Sequence, residues 1–102
     1  METVFEAVAD PTRRAILDRL RTSGPLSVRA IGEPLPMTRQ AVTKHLDLLC
    51  RSGLVRSRRV GRERLHELDP EPLKELDDWL APYAAAWDER LARLRDYLEE
   101  EP

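Results

Sequence analysis

Thr38, Arg39, Gln40, Thr43 and Lys44 crowd one short stretch of this sequence, MTRQAVTKHLDLLCRSGLV at 37–55, and each brings a different hydrogen-bonding group. An arginine offers a planar fork of donors that fits the two acceptors on the major-groove edge of guanine, and a glutamine can give and accept as adenine requires. Thr43 suits a base edge or the methyl of thymine, and Lys44 suits a phosphate. Thr38 stands where a helix N-cap belongs. Its hydroxyl is then expected on the helix's own N–H groups, leaving neighbouring backbone N–H groups for a phosphate. Taken singly, each residue also suits a solvated helix face.

An apolar stripe would hold these side chains in place. Val42, Leu46 and Leu49 recur at helical spacing, with Gln40 and Lys44 nearly opposite and Arg39 and Thr43 beside them. The pattern predicts a helix over 38–52, ended by Gly53. Before it, Ser27 caps a short helix through Val28, Ala30 and Ile31, limited by Gly32 and Pro34. Asp10-Pro11 starts the helix PTRRAILDRLRTS, with Ala15, Ile16, Leu17 and Leu20 expected inward and Ser23-Gly24-Pro25 as its stop. Residues 2–8 read as a first short helix with Val4, Phe5 and Val8 on one side.

After Gly53 the pattern becomes extended. Leu54–Val60 and Arg64–Leu68 flank Gly61-Arg62, a pair suited to a tight hairpin turn, although arginines at 56, 58 and 59 spoil the alternation. Arg58, Arg59, Arg62 and Arg64 crowd this hairpin's tip. They either blunt a sheet edge or reach a phosphate or minor groove, and their number favours the second. Asp69-Pro70 opens a helical segment over 70–102, with Trp79, Leu80, Tyr83, Ala84, Trp87, Leu91, Leu94 and Leu98 in one stripe interrupted near Pro82.

The order of helix, helix, helix–turn–helix, β-hairpin and helix is that of a winged helix–turn–helix. The fold class is mainly α with a small β-hairpin, in one domain of 102 residues. Net charge is −2, yet residues 1–68 hold 13 Lys/Arg against 8 Asp/Glu, and residues 69–102 hold 4 against 11. A basic body with an acidic far end can orient on a polyanion without a high overall charge. Cys50 is the single cysteine, which excludes an internal disulfide and fits a reducing compartment. It lies beside the buried stripe and is expected as a packed thiol. No signal peptide or bilayer-length apolar run is present, so the expectation is a cytoplasmic protein with no membrane partner. Neither histidine has a nucleophile or carboxylate partner in sequence, and no phosphate-cradling glycine loop exists, so an enzyme is not expected. Cys50, His45 and His66 lack metal-ligand spacing; no metal and no cofactor are expected.

The run LSVRAIGEPLPMTRQAVTKHLDLLCRSGLVRSRRVGRERLHELDP resembles the winged helix–turn–helix of ArsR-type transcriptional repressors, and VFEAVADPTRRAILDRLRTSGPLSV resembles that family's opening. The resemblance covers residues 4–70. It implies a homodimeric repressor with DNA contacts on Thr38, Arg39, Gln40, Thr43 and Lys44, a wing at 60–64, and His45 supporting the helix or touching backbone. Many such repressors sense metals through cysteines of the third helix or a His/Asp cluster of the last. This chain has neither, and its tail resembles a subgroup without metal sites.

The tail's stripe exceeds what so small a core needs, which points to self-association. Val4, Phe5, Val8, Trp79, Tyr83, Trp87, Leu91 and Leu94 are expected to form a two-fold interface, so the first and last helices serve dimerisation. The expected function is sequence-specific binding of a pseudo-palindromic double-stranded DNA operator by a repressor, with no effector assigned. The alternative is a winged-helix module that binds protein without reading DNA.

Overall fold

The computed structural model describes residues 3–100. Residue 2 of the expected first helix and the last two residues of the expected tail lie outside them. Elements follow in the order α1 (Val4–Val8), α2 (Pro11–Ser23), β1 (Leu26–Ser27), α3 (Val28–Gly32), α4 (Arg39–Arg51), β2 (Val55–Val60), β3 (Glu63–Leu68) and α5 (Leu73–Glu100).

The first four helices begin on a side chain three residues ahead of the N–H it accepts. Thr3 takes Glu6, Asp10 takes Arg13, Ser27 takes Ala30 and Thr38 takes Ala41, at 3.0–3.2 Å. Helix α4 ends as its sequence dictates. Gly53 adopts φ 85°, its N–H reaches Cys50 O at 3.1 Å, and the Leu54 N–H reaches Leu49 O at 3.1 Å. That paired closure satisfies carbonyls the helix leaves open.

The core gathers Ile16, Leu17 and Leu20 of α2, Ile31 of α3, Val42, Leu46 and Leu49 of α4, and Leu54 and Val55. Ala15 is exposed rather than inward, because Leu17 takes the buried position on that turn. Arg19 Nη1 donates to the carbonyls of Ala30 (2.6 Å) and Ile31 (3.2 Å), fastening α2 to α3. The expected hairpin is part of a three-stranded antiparallel sheet of order β1-β3-β2. Strand β1 pairs Leu26 with His66 and Ser27 with Leu65.

One expectation about the ends needs correction. Val4, placed at a two-fold interface, is 3% exposed and belongs to this chain's own core, whereas Phe5 is exposed and Val8 half-buried. Helix α5 runs unbroken through Pro82, so what is interrupted there is the stripe of side chains and not the helix. A proline removes one N–H and so one helical bond. On a helix exposed along this stretch, water can satisfy the carbonyl left open. Among the described residues helix α5 leans on the body at its start, through Leu73, Leu76 and the edge-on contact of Trp79 with Phe5 at 6.0 Å. Beyond that it projects outward, giving the molecule a long axis of 65 Å. Among the described residues no helix is long and apolar enough to cross a membrane.

Candidate nucleic-acid interface

Helix α4 is amphipathic in the sense its sequence demands. Val42, Leu46 and Leu49 are at most 2% exposed, while Thr38, Arg39, Gln40, Thr43 and Lys44 are all exposed. Arg39, Gln40, Thr43 and Lys44 line one shallow depression along the outer face. The Thr38 hydroxyl is occupied by the Ala41 N–H at 3.1 Å, so the N–H groups of Arg39 and Gln40 stay open at the helix start. Neither Arg39 nor Lys44 has a carboxylate partner among the described residues.

Helix α3 approaches α4 closely at Gly32, where a Cβ would meet Val42 Cγ2 at 3.4 Å. A cleft of about 210 Å³ opens beside this approach, lined by Arg29, Glu33, Met37 and Arg39 among others. Arg29 therefore shares a surface with Arg39, which the sequence reading missed. Its signal was available: on the helix opened by Ser27, position 29 falls away from the apolar Val28 and Ile31.

The hairpin's geometry sorts its arginines. Gly61 has φ 63° and no described residue other than glycine has a positive φ, so Gly61-Arg62 forms a type II′ turn with Arg62 at the tip. Cross-strand register puts Ser57, Arg59, Arg64 and His66 on one face and Arg56, Arg58, Leu65 and Glu67 on the other. Arg58 Nε lies 3.8 Å from Glu67 Oε1, and Arg56 Nε lies 3.8 Å from Asp69 Oδ2. The four-arginine cluster is thus partly relieved at Arg58. Arg59 and Arg64 stand opposite one another, with Arg64 Nη1 donating to Ser57 Oγ at 3.1 Å.

The titratable residues nearby are structural in their surroundings. His45 does not join the exposed face; its Nδ1 lies 3.3 Å from Arg13 Nη1 and 3.9 Å from Asp10 Oδ2. The Arg13 N–H bonded to Asp10 holds that carboxyl below its ordinary range. Partial burial opposes this, and the Arg13 charge reinforces it. Burial, with Asp47 adding, pushes the half-buried Cys50 thiol up. His66 is 6% exposed with no partner on Nδ1, and burial lowers its pKa against a hydrogen bond to the Leu26 backbone. Among the described residues no group of three or more His, Cys, Asp or Glu is arranged to hold a metal ion.

The model of the family described as a helix-turn-helix domain matches residues 8–58. The HTH-type transcriptional regulator Rv2034 of Mycobacterium tuberculosis is 43% identical over 75 residues, covering 74% of this chain and 69% of that protein. An ArsR-like transcriptional regulator from Rhodococcus sp. RHA1 has a solved structure similar at a TM-score of 0.68. It is 37% identical and the match covers 96% of this chain and 92% of that one. The homodimeric winged helix-turn-helix DNA-binding domain Mb0332 from Mycobacterium bovis is similar at a TM-score of 0.61. There the identity is 29%, with 78% and 73% of the two chains covered.

Proposed function

We propose a working assembly from one premise: the chain belongs to the ArsR family of winged helix–turn–helix proteins and is a DNA-binding transcriptional regulator. It acts as a homodimeric repressor that reads a pseudo-palindromic operator with α4 and braces itself with the β2–β3 wing. The observation that carries this reading is the contiguous exposed face of Arg39, Gln40, Thr43 and Lys44, whose cations have no carboxylate partner among the described residues.

A protruding helix fits the major groove with its N-terminal residues against base edges. Arg39 and Gln40 carry sequence information there. Lys44, Arg29 and the open N–H groups at the α4 start take phosphates, as do Arg59, Arg62 and Arg64 of the wing. The homodimeric state of the Mycobacterium bovis relative and the apolar face of α5 support pairing through Phe5, Trp79, Tyr83, Trp87, Leu91 and Leu94. Two-fold pairing would set two α4 helices about 34–36 Å apart, one turn of B-DNA. Repression follows when the occupied operator overlaps a promoter, and that work places the protein in the cytoplasm with the chromosome.

Selection of bound fragments from genomic DNA tests the reading, followed by titration of the recovered site at rising salt. The expected result is an inverted repeat whose affinity falls steeply with salt. Recovery of no preferred sequence would leave the protein-binding module as the function.

A further inference from the structure

The junction of α1, α2 and α4 holds one side chain with more partners than a fold this small requires. Arg13 Nε donates to Ala7 O at 2.9 Å and Nη2 to Glu6 O at 2.8 Å. Both carbonyls belong to α1, near the end where a helix leaves acceptors open, and that of Glu6 also takes the Ala9 N–H at 3.3 Å. The remaining arm, Nη1, lies 3.3 Å from His45 Nδ1 in α4. A guanidinium has only donors, so as a hydrogen bond this contact takes Nδ1 as acceptor and leaves the imidazole proton on Nε2; Asp10 Oδ2, 3.9 Å from the same nitrogen, lies beyond hydrogen-bond reach. Arg13 is itself fixed, because its backbone N–H is bonded to Asp10 in the α2 cap at 3.0 Å.

We propose that Arg13 and His45 form a positioning link that ties the orientation of the recognition helix to α1, and through Phe5 to the dimer face. The apolar contacts of Val42, Leu46 and Leu49 fix how deep α4 sits, but burial is non-directional and tolerates small rotations. A charge-assisted hydrogen bond is directional. Since α4 is one rigid helix, anchoring His45 also sets the angle at which Arg39, Gln40 and Thr43 face outward. The other end of the link is contiguous with α5: Glu6 and Ala7 adjoin Phe5, which meets Trp79 edge-on at 6.0 Å. His45 thus acts on DNA reading without touching DNA. The proposal rests on the operator-reading function above.

The test uses the full chain and the selected operator, with random-sequence duplex as the comparison. His45→Phe keeps the ring and removes the acceptor, whereas His45→Asn returns an acceptor near the Nδ1 position. Expected for His45→Phe is a roughly tenfold loss of operator affinity, about the worth of one charge-assisted bond. Tm falls modestly with the lost bond, binding to random duplex and oligomeric mass stay near wild type, and His45→Asn restores most of the preference. Arg13→Lys, which keeps the charge but cannot reach all three acceptors, should also lose preference, and it serves if His45→Phe fails to fold. Imidazole ¹⁵N spectra of the wild-type protein should show the Nε2–H tautomer at His45. A folded His45→Phe protein with wild-type preference, or the Nδ1–H tautomer, overturns the link alone. Wild-type protein that prefers no sequence overturns the operator reading, and the link with it.

Discussion

Arg59 and Arg64 occupy directly opposed positions on β2 and β3, beyond the buried end of the sheet. Like charges so placed cost a sheet some stability, on the order of 0.2–1 kcal/mol. The hydrogen bond from Arg64 to Ser57 turns one guanidinium without neutralising it. An arrangement that is unfavourable in the free protein becomes favourable once an anion sits between the two groups. Arg59→Ala should therefore leave the urea midpoint unchanged or raised while weakening binding to every DNA sequence. The slope of log affinity against log salt should shrink by about 0.9 for the lost phosphate contact. An unchanged slope would show that the pair does not meet the backbone.

Base-reading and phosphate-holding residues on α4 separate by how their loss is distributed. Arg39→Ala should cost about 1–3 kcal/mol on the operator and relax preference at one base pair in each half-site. Lys44→Ala should instead weaken operator and random duplex alike. Titrating both variants against operators changed one base pair at a time checks this. Two uniform losses would move base reading away from Arg39.

Much of this arrangement was legible because it is written in local chemistry. The Asp10-Pro11 start, the Ser27 and Thr38 caps and the Gly53 stop each depend on residues within five positions, and α2 and α4 appear where those signals put them. Strand β1 was not legible. Two residues carry no periodicity, and Leu26–Ser27 is a strand only because β3, forty positions away, offers it a partner. Val4 was misplaced for a related reason: an apolar residue on a short helix fits a subunit interface or a core equally well until α2 is packed against it. The Arg13–His45 contact spans 32 positions, and nothing in either residue's neighbourhood announces it.

Stability should fall on mild acidification through His66. Its pKa is lowered in the folded chain, chiefly by burial, so below about pH 6.5 the unfolded state takes up a proton that the folded state resists. The stabilising contribution is present above the ordinary imidazole value. It is lost as pH falls toward the depressed folded value, and levels off once the folded protein also protonates. Urea midpoints at pH 7.5 and 5.5 should differ for wild type, and the His66 share of that difference should vanish in His66→Gln. An equal fall in both proteins would assign the acid sensitivity elsewhere.

Helix α5 sets the strongest condition on the assembly. An isolated helix in water is marginal without a packed face, and beyond Leu76 this one receives little from its own chain except Phe5 against Trp79. Trp87 is 60% exposed, with Tyr83, Leu91 and Leu94 along the same side. Pairing through this side would stabilise the helix and bury the indole together, so association and helicity should rise with concentration as one process. Trp87→Ala removes the largest group near the middle of that face. At about 2 kcal/mol for each protomer, dissociation of the dimer should become roughly a thousandfold easier. Sedimentation equilibrium and far-ultraviolet circular dichroism over the same dilution series measure both quantities. A wild-type chain that stays monomeric at micromolar concentration yet keeps full helicity would mean that α5 stands without a partner, and that the two-fold reading of the operator has lost its support.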